Sequence, residues 1–316
     1  RGRAPGLRGG RGGRGQPGEQ QGAAGQGHGE PPAPSNRHAA TGLPRRPGRR
    51  KLGAMDTAPP LLVARDARGV VTATLNRPEL GNAYDGAMLD ALIEGLGALA
   101  ADASVRALVI RGAGRNFQTG ANIHWLTAAS RAEPEAALAA SKQTTEAMRR
   151  LNEFPRPTLA VIQGACFGGG IGIACCVDVA LCTPEATFGI SEVRVGMVPT
   201  PISTHMVHAL GYRQARRYAI TGERFGSAEA LRIGLVHEVV AAEGMEARLD
   251  AILAETLLSA PQGVAVAKAS MQRAAGWLLD DRTVTELAHE SWMQRASAEG
   301  QEGLAAFRDK RKPRWA

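Results

Sequence analysis

Apolar positions along the chain fall into two periods. Short apolar or alternating runs predict strands at Gly69–Asn76 (GVVTATLN), Arg106–Arg111 (RALVIR), Thr158–Gln163 and Val179–Thr183. Met88, Leu89, Leu92, Leu96 and Leu99 recur at helical spacing and predict a helix over 85–101. A second helix is expected over 133–152, closed by Pro155 and Pro157, and a third, wholly apolar, from about 169 to 177. Beyond about 200 the pattern is helical almost throughout: 203–221, 227–233, 244–260, 261–275, 281–297 and 299–310. Strands alternating with helices and then helices alone predict an α/β core of repeated β-β-α units, over 55–250, and a helical C-terminal region, over 251–316.

Residues 1–54 follow neither period. They contain 15 Gly, 7 Pro and no aromatic residue, too little apolar surface to offset the entropy of ordering, so disorder is expected. The first methionine is Met55. Three readings of this extension stay open: a basic arm of RNA-binding type, upstream sequence that is not part of the native protein, and a transit peptide, for which it is Arg-rich and acid-poor but short of Ser and without an amphipathic period.

Charge supports the same division. The chain of 316 residues carries a net +8, but residues 1–54 hold 11 Lys/Arg against only Glu19 and Glu30. The remainder holds 27 Lys/Arg against 28 Asp/Glu, so the folded part is near neutral and nucleic acid is not an expected partner for it. No apolar run reaches the roughly 18 residues of a membrane span, and the N-terminus lacks the apolar segment of a secretory signal. Cys166, Cys175, Cys176 and Cys182 lie in apolar sequence without paired metal-ligand spacing, so buried reduced thiols in a cytoplasmic protein are expected, and no metal.

Two glycine-containing loops suggest chemistry. Gly112–Trp125 (GAGRNFQTGANIHW) and Gly164–Ile171 (GACFGGGI) each run from a strand through glycines into a helix start. Backbone N–H groups at helix starts have no intrahelical partner and sit at the positive end of the helix dipole. Two such loops can aim two donors at one developing oxyanion. Neither loop fits a phosphate loop or a dinucleotide fingerprint.

With these loops go LNRPELGNA (Leu75–Ala83), FGISEVRVGMVP (Phe188–Pro199), TGERFGSAEALRIGLVHEVV (Thr221–Val240) and AFRDKRKPRW (Ala306–Trp315). Together, in this order, they resemble the crotonase (enoyl-CoA hydratase/isomerase) family over nearly all of 55–316. The resemblance implies the crotonase (ClpP-like) α/β fold, an acyl-CoA substrate with no further cofactor, and a homotrimer or hexamer built through the C-terminal helices. It implies that the thioester oxygen accepts the N–H groups of Ala121 and Gly169. Substrate and CoA contacts are expected from Arg77, Phe117, Gln118, Thr119, Gly120, Ile123, Gly168, Phe307 and Lys310, with the C-terminal end reaching the CoA of a neighbouring subunit.

Hydratases of the family usually have two glutamates at the reacting carbons. Here one position is Gly172 and the other is Glu192. Glu192 among apolar residues is the expected acid/base, because burial raises a carboxyl pKa towards neutrality. Val198–Ser203 (VPTPIS) resembles methylglutaconyl-CoA-type hydratases and points to a branched or glutaconyl-type acyl group. The expected reaction is addition of water to the α,β double bond. Alternatives are Δ3-Δ2-enoyl-CoA isomerisation by the same glutamate, RNA binding, and an idle CoA-binding homologue. His124 is expected to be partly exposed, Asn122 to replace a loop-ordering Asp, and Asp178 to be buried and structural.

Overall fold

Three strands of the large sheet each continue into a short one in a second sheet before the next helix begins. The computed structural model describes residues 58–276 and 280–314; the extension 1–54 and Trp315 lie outside them. The large sheet has the order β1 (Leu61–Arg65), β2 (Val70–Leu75), β3 (Ala107–Gly112), β5 (Thr158–Ile162), β7 (Val179–Cys182), β10 (Glu238–Val239). All neighbours in it are parallel except β1 with β2. The small sheet runs β4 (Gln118–Thr119), β6 (Ala165–Phe167), β8 (Thr187–Gly189), β9 (Arg224–Gly226).

The unbroken apolar runs follow from burial on both faces of the large sheet. Side chains alternate between faces with period two. Val71, Ala73, Leu75, Leu108, Ile110, Ala160 and Ile162 face a core shared with α1 (Gly86–Ala101), α3 (Pro134–Asn152) and α4 (Gly169–Cys176). Val70, Ala107, Val109, Leu159, Val161 and Leu181 face Met245, Leu249 and Leu253 of α7 (Met245–Leu257). Leu249 and Leu253 of α7 are thus covered by the chain's own sheet. The boundary expected at 250/251 falls inside α7.

The remaining helices are α2 (Ile123–Ser130), α5 (Thr200–Thr221), α6 (Ser227–Arg232), α8 (Pro261–Ala274), α9 (Asp281–Ala296) and α10 (Ala298–Arg308). α5 starts three residues before the expected 203, because Pro199 and Pro201 sit where the first turn needs no amide donors. It is interrupted at Gly211, with φ 72°. The β-β-α expectation holds, but β1, β9 and β10 were not anticipated, nor was the small sheet. No helix of the described residues is long and apolar enough to cross a membrane.

All four cysteines are buried free thiols, and burial pushes each pKa up. Asp178 differs from its expectation. It is exposed in the turn between α4 and β7, where it accepts from Thr158 N at 2.8 Å and pairs with Lys268 Nζ at 2.8 Å. Its apolar sequence neighbours belong to the buried elements on either side, whereas the turn itself reaches the surface.

Candidate active site

Parallel pairing of β4 with β6 brings the two glycine loops side by side, with Thr119 opposite Phe167. After β4, Ala121 forms a parallel bridge with Tyr84. That bridge uses Gly120 O, which accepts from Tyr84 N, and Asn122 N, which donates to Tyr84 O. In a parallel bridge the N–H of Ala121 itself points away from Tyr84. Gln118 holds this geometry: its buried amide donates to Gly120 O at 2.8 Å and accepts from Gly120 N at 2.9 Å. Asn122 then caps α2, its Oδ1 accepting from the backbone N–H groups of His124 and Trp125. Asn thus serves the loop-ordering purpose expected of an Asp, and His124 is exposed.

After β6 the chain turns at Gly168, with φ 50°, which an L side chain rarely adopts. Gly169 is the first residue of α4, so its N–H is one of the helix's unpaired N-terminal donors. A Cβ on Gly168 would stand 3.0 Å from Glu192 Oε1 and 3.5 Å from the Cα of Gly120. Both loops and the Glu192 carboxylate therefore meet at one place.

Glu192 opens a 3-10 turn, Glu192–Val195, that follows β8. The C-terminal helices hold this turn from behind. Gln294 Nε2 donates to Gly196 O at 3.1 Å, and α10 packs on the turn with Gly303 against the carbonyl of Val195. Part of the Glu192 residue is exposed, but its carboxylate oxygen Oε2 is buried and has no hydrogen-bond partner. Burial raises its pKa to about 7, and its own backbone amide opposes this only in part.

A cavity of about 360 Å³ covers the site. Of the expected residues, Thr119, Gly120, Ala121, Ile123, Gly168, Gly169, Glu192 and Phe307 line it. Phe307 does so in its own chain, where the resemblance had this end reaching a neighbour's ligand. Arg77, Phe117, Gln118 and Lys310 do not line it. Arg77 Nη1 donates to Ala58 O and Asn76 O. The Phe117 ring is wholly buried in the core, and Gln118 acts on the loop rather than facing the cavity. At the C-terminal end beside Lys310, Arg311 pairs with Glu302 and Arg308 with Asp309.

Gly172 does not face the cavity. A Cβ there would lie 2.5 Å from Ile202 Cγ2 and 2.9 Å from Met148 Sδ. The room a second glutamate would need is filled by the first turn of α5, and among the described residues no other Asp or Glu lines the cavity.

Several lining residues carried no sequence signal. Arg224 is exposed, with its guanidinium 4.8 Å from the centre of the Phe167 ring. Tyr84 packs its ring against Gly169 and edge-on to Trp125. Burial raises the Tyr84 pKa to about 12; Thr144 and Arg295 pull it down, and the Glu192 carboxylate adds to the rise. Ser141, Thr144, Ser291 and Arg295 also line the cavity.

The family described as enoyl-CoA hydratase/isomerase matches residues 65–316. Hydroxycinnamoyl-CoA hydratase-lyase of Pseudomonas fluorescens is 35% identical over 177 residues, covering 54% of this chain and 63% of that protein. The 2,3-dehydroadipyl-CoA hydratase of Escherichia coli K12 is 29% identical over 261 residues, covering 80% of this chain and 97% of that protein. Among solved structures, an enoyl-CoA hydratase from Mycobacterium avium superposes with a TM-score of 0.72 at 31% identity, covering 81% of this chain and 99% of that one.

Proposed function

Because the chain belongs to the enoyl-CoA hydratase/isomerase family, we propose that it is an enoyl-CoA hydratase with Glu192 as its single acid/base. The observation that carries this is the buried, unpaired Glu192 carboxylate at the meeting point of the two loops. The thioester oxygen would accept the N–H groups of Ala121 and Gly169. Glu192 takes a proton from water, whose oxygen bonds to C3 while the C2–C3 electron pair moves into the enolate. The oxyanion is held by the two N–H groups, each such donor contributing about 3 kcal/mol to the transition state. Glu192 then returns the proton to C2, so that one water has been added. Arg224, exposed beside Phe167, suits the CoA phosphates. Met197, Val198, Pro199, Pro201 and Ile202 wall the acyl cavity, consistent with the branched or glutaconyl-type group expected from that segment.

Isomerisation is the second reading, and the filled space at Gly172 favours it. One carboxylate suffices to carry a proton from C2 to C4 through the same enolate.

The two reactions separate in an ultraviolet assay of the full chain. Hydration should bleach the conjugated absorbance of crotonyl-CoA or 3-methylglutaconyl-CoA. New absorbance from a 3-enoyl-CoA, with no bleaching of the 2-enoyl thioesters, would replace the hydratase by the isomerase. Silence in both assays would remove both.

A further inference from the structure

The acyl cavity contains a charge that the chemistry at Glu192 does not use. Arg295 is 4% exposed and lines the cavity. Its Nη2 donates to the carbonyl of Ala137 at 3.1 Å and to Ser141 Oγ at 2.9 Å, tying α9 to α3. That contact accounts for one nitrogen. Nε is buried without any partner, and among the described residues no carboxylate pairs with the guanidinium. An isolated buried cation is unfavourable unless something of opposite charge reaches it.

The surroundings form a polar patch in a mainly apolar cavity. Ser141 and Thr144 lie three residues apart on α3, and Ser291 and Arg295 four apart on α9, so each pair shares one helix face. Ser141 and Thr144 are themselves buried. Tyr84, which also lines the cavity, is close enough to feel both Glu192 and Arg295. Trp125, Leu126 and Ile202 supply apolar lining.

We propose that Arg295, with Ser141 beside it, binds a carboxylate at the distal end of the acyl chain, so that the preferred substrates are CoA thioesters of dicarboxylic acids. This rests on the acyl-CoA reading above. A guanidinium offers a carboxylate two parallel N–H donors, and pairing inside the cavity compensates both charges at once.

Saturated thioesters cannot be hydrated, so calorimetric titration of the full chain with them measures recognition separately from turnover. The probes are glutaryl-CoA against pentanoyl-CoA and adipyl-CoA against hexanoyl-CoA. In at least one pair the dicarboxylic thioester should bind about tenfold or more tightly than its neutral partner. Arg295→Met should abolish that preference while neutral thioesters still bind; Arg295→Lys should keep part of it. A purely structural Arg295 would weaken both members of a pair alike. Equal binding by the unaltered protein, or a preference that survives Arg295→Met, overturns the proposal. The unaltered protein's ratio decides the matter even where Arg295→Met does not fold. Failure of every thioester to bind would instead strike the acyl-CoA reading, and this site with it.

Discussion

Replacing Glu192 by glutamine should cut turnover by about 10²–10⁴-fold, the usual contribution of a positioned acid/base, and at pH 8 should make the protein more stable. The two effects have one cause. The carboxylate is buried with Oε2 unpartnered, so the folded protein resists ionising it and its pKa rises from 4.5 to about 7. A carboxyl whose pKa is raised by folding contributes stability below its unfolded pKa. That contribution is lost as pH climbs through the folded value. The loss amounts to about 3 kcal/mol between pH 4 and pH 8, at roughly 1.4 kcal/mol per pKa unit. Glutamine has no proton to lose. Urea unfolding should therefore show a difference between variant and parent that is small near pH 4 and grows to about 3 kcal/mol in the variant's favour at pH 8. A difference that stays constant with pH would contradict the burial of this carboxylate.

Gly172→Ala should destabilise the protein by about 1–2 kcal/mol, although alanine is ordinarily the better helix residue by about 1 kcal/mol. The added methyl has no room: Ile202 Cγ2 would be 2.5 Å away and Met148 Sδ 2.9 Å away. Overpacking costs about 1–3 kcal/mol, and contacts this short put it at about 2–3 kcal/mol, which outweighs the gain in propensity. Gly172→Glu should cost more, at least about 3 kcal/mol, because it adds a carboxyl to the same filled space. Ile202→Ala alone should cost about 2–4 kcal/mol through the cavity it leaves. Combined with Gly172→Ala, the two losses should sum to at least about 1 kcal/mol less than their separate values, since each change relieves the other. Urea denaturation of the four proteins tests this. A neutral Gly172→Ala would mean that α5 yields easily and that the second-acid space is available after all.

Much of the fold was legible because the long elements have a period. The strands at 70–75, 107–112, 158–162 and 179–182 and most of the helix boundaries match the sequence pattern closely. The small sheet was not legible, since strands of two or three residues have no period to detect. Yet it is the pairing of β4 with β6 that makes the two loops converge. The glycine loops could be read because glycines between a strand and a helix start are conspicuous, and Glu192 because the motif around it resembles that of the family. Arg295, Ser141 and Thr144 could not, because polar residues on a helix are normally its solvent face, and only the packing of α3 on α9 turns these inward. Asp178 shows the converse error: apolar neighbours in sequence do not bury a residue that sits in a turn.

The pH dependence of kcat/KM for hydration of a 2-enoyl-CoA tests the central claim most directly. For hydration the free enzyme must present Glu192 as a carboxylate, so kcat/KM should rise with pH and level off above an apparent pKa of about 7. Glu192→Gln should leave only a low rate without that limb. A profile already flat between pH 5 and pH 8, or a limb near 7 that persists in Glu192→Gln, would place the acid/base chemistry on another group.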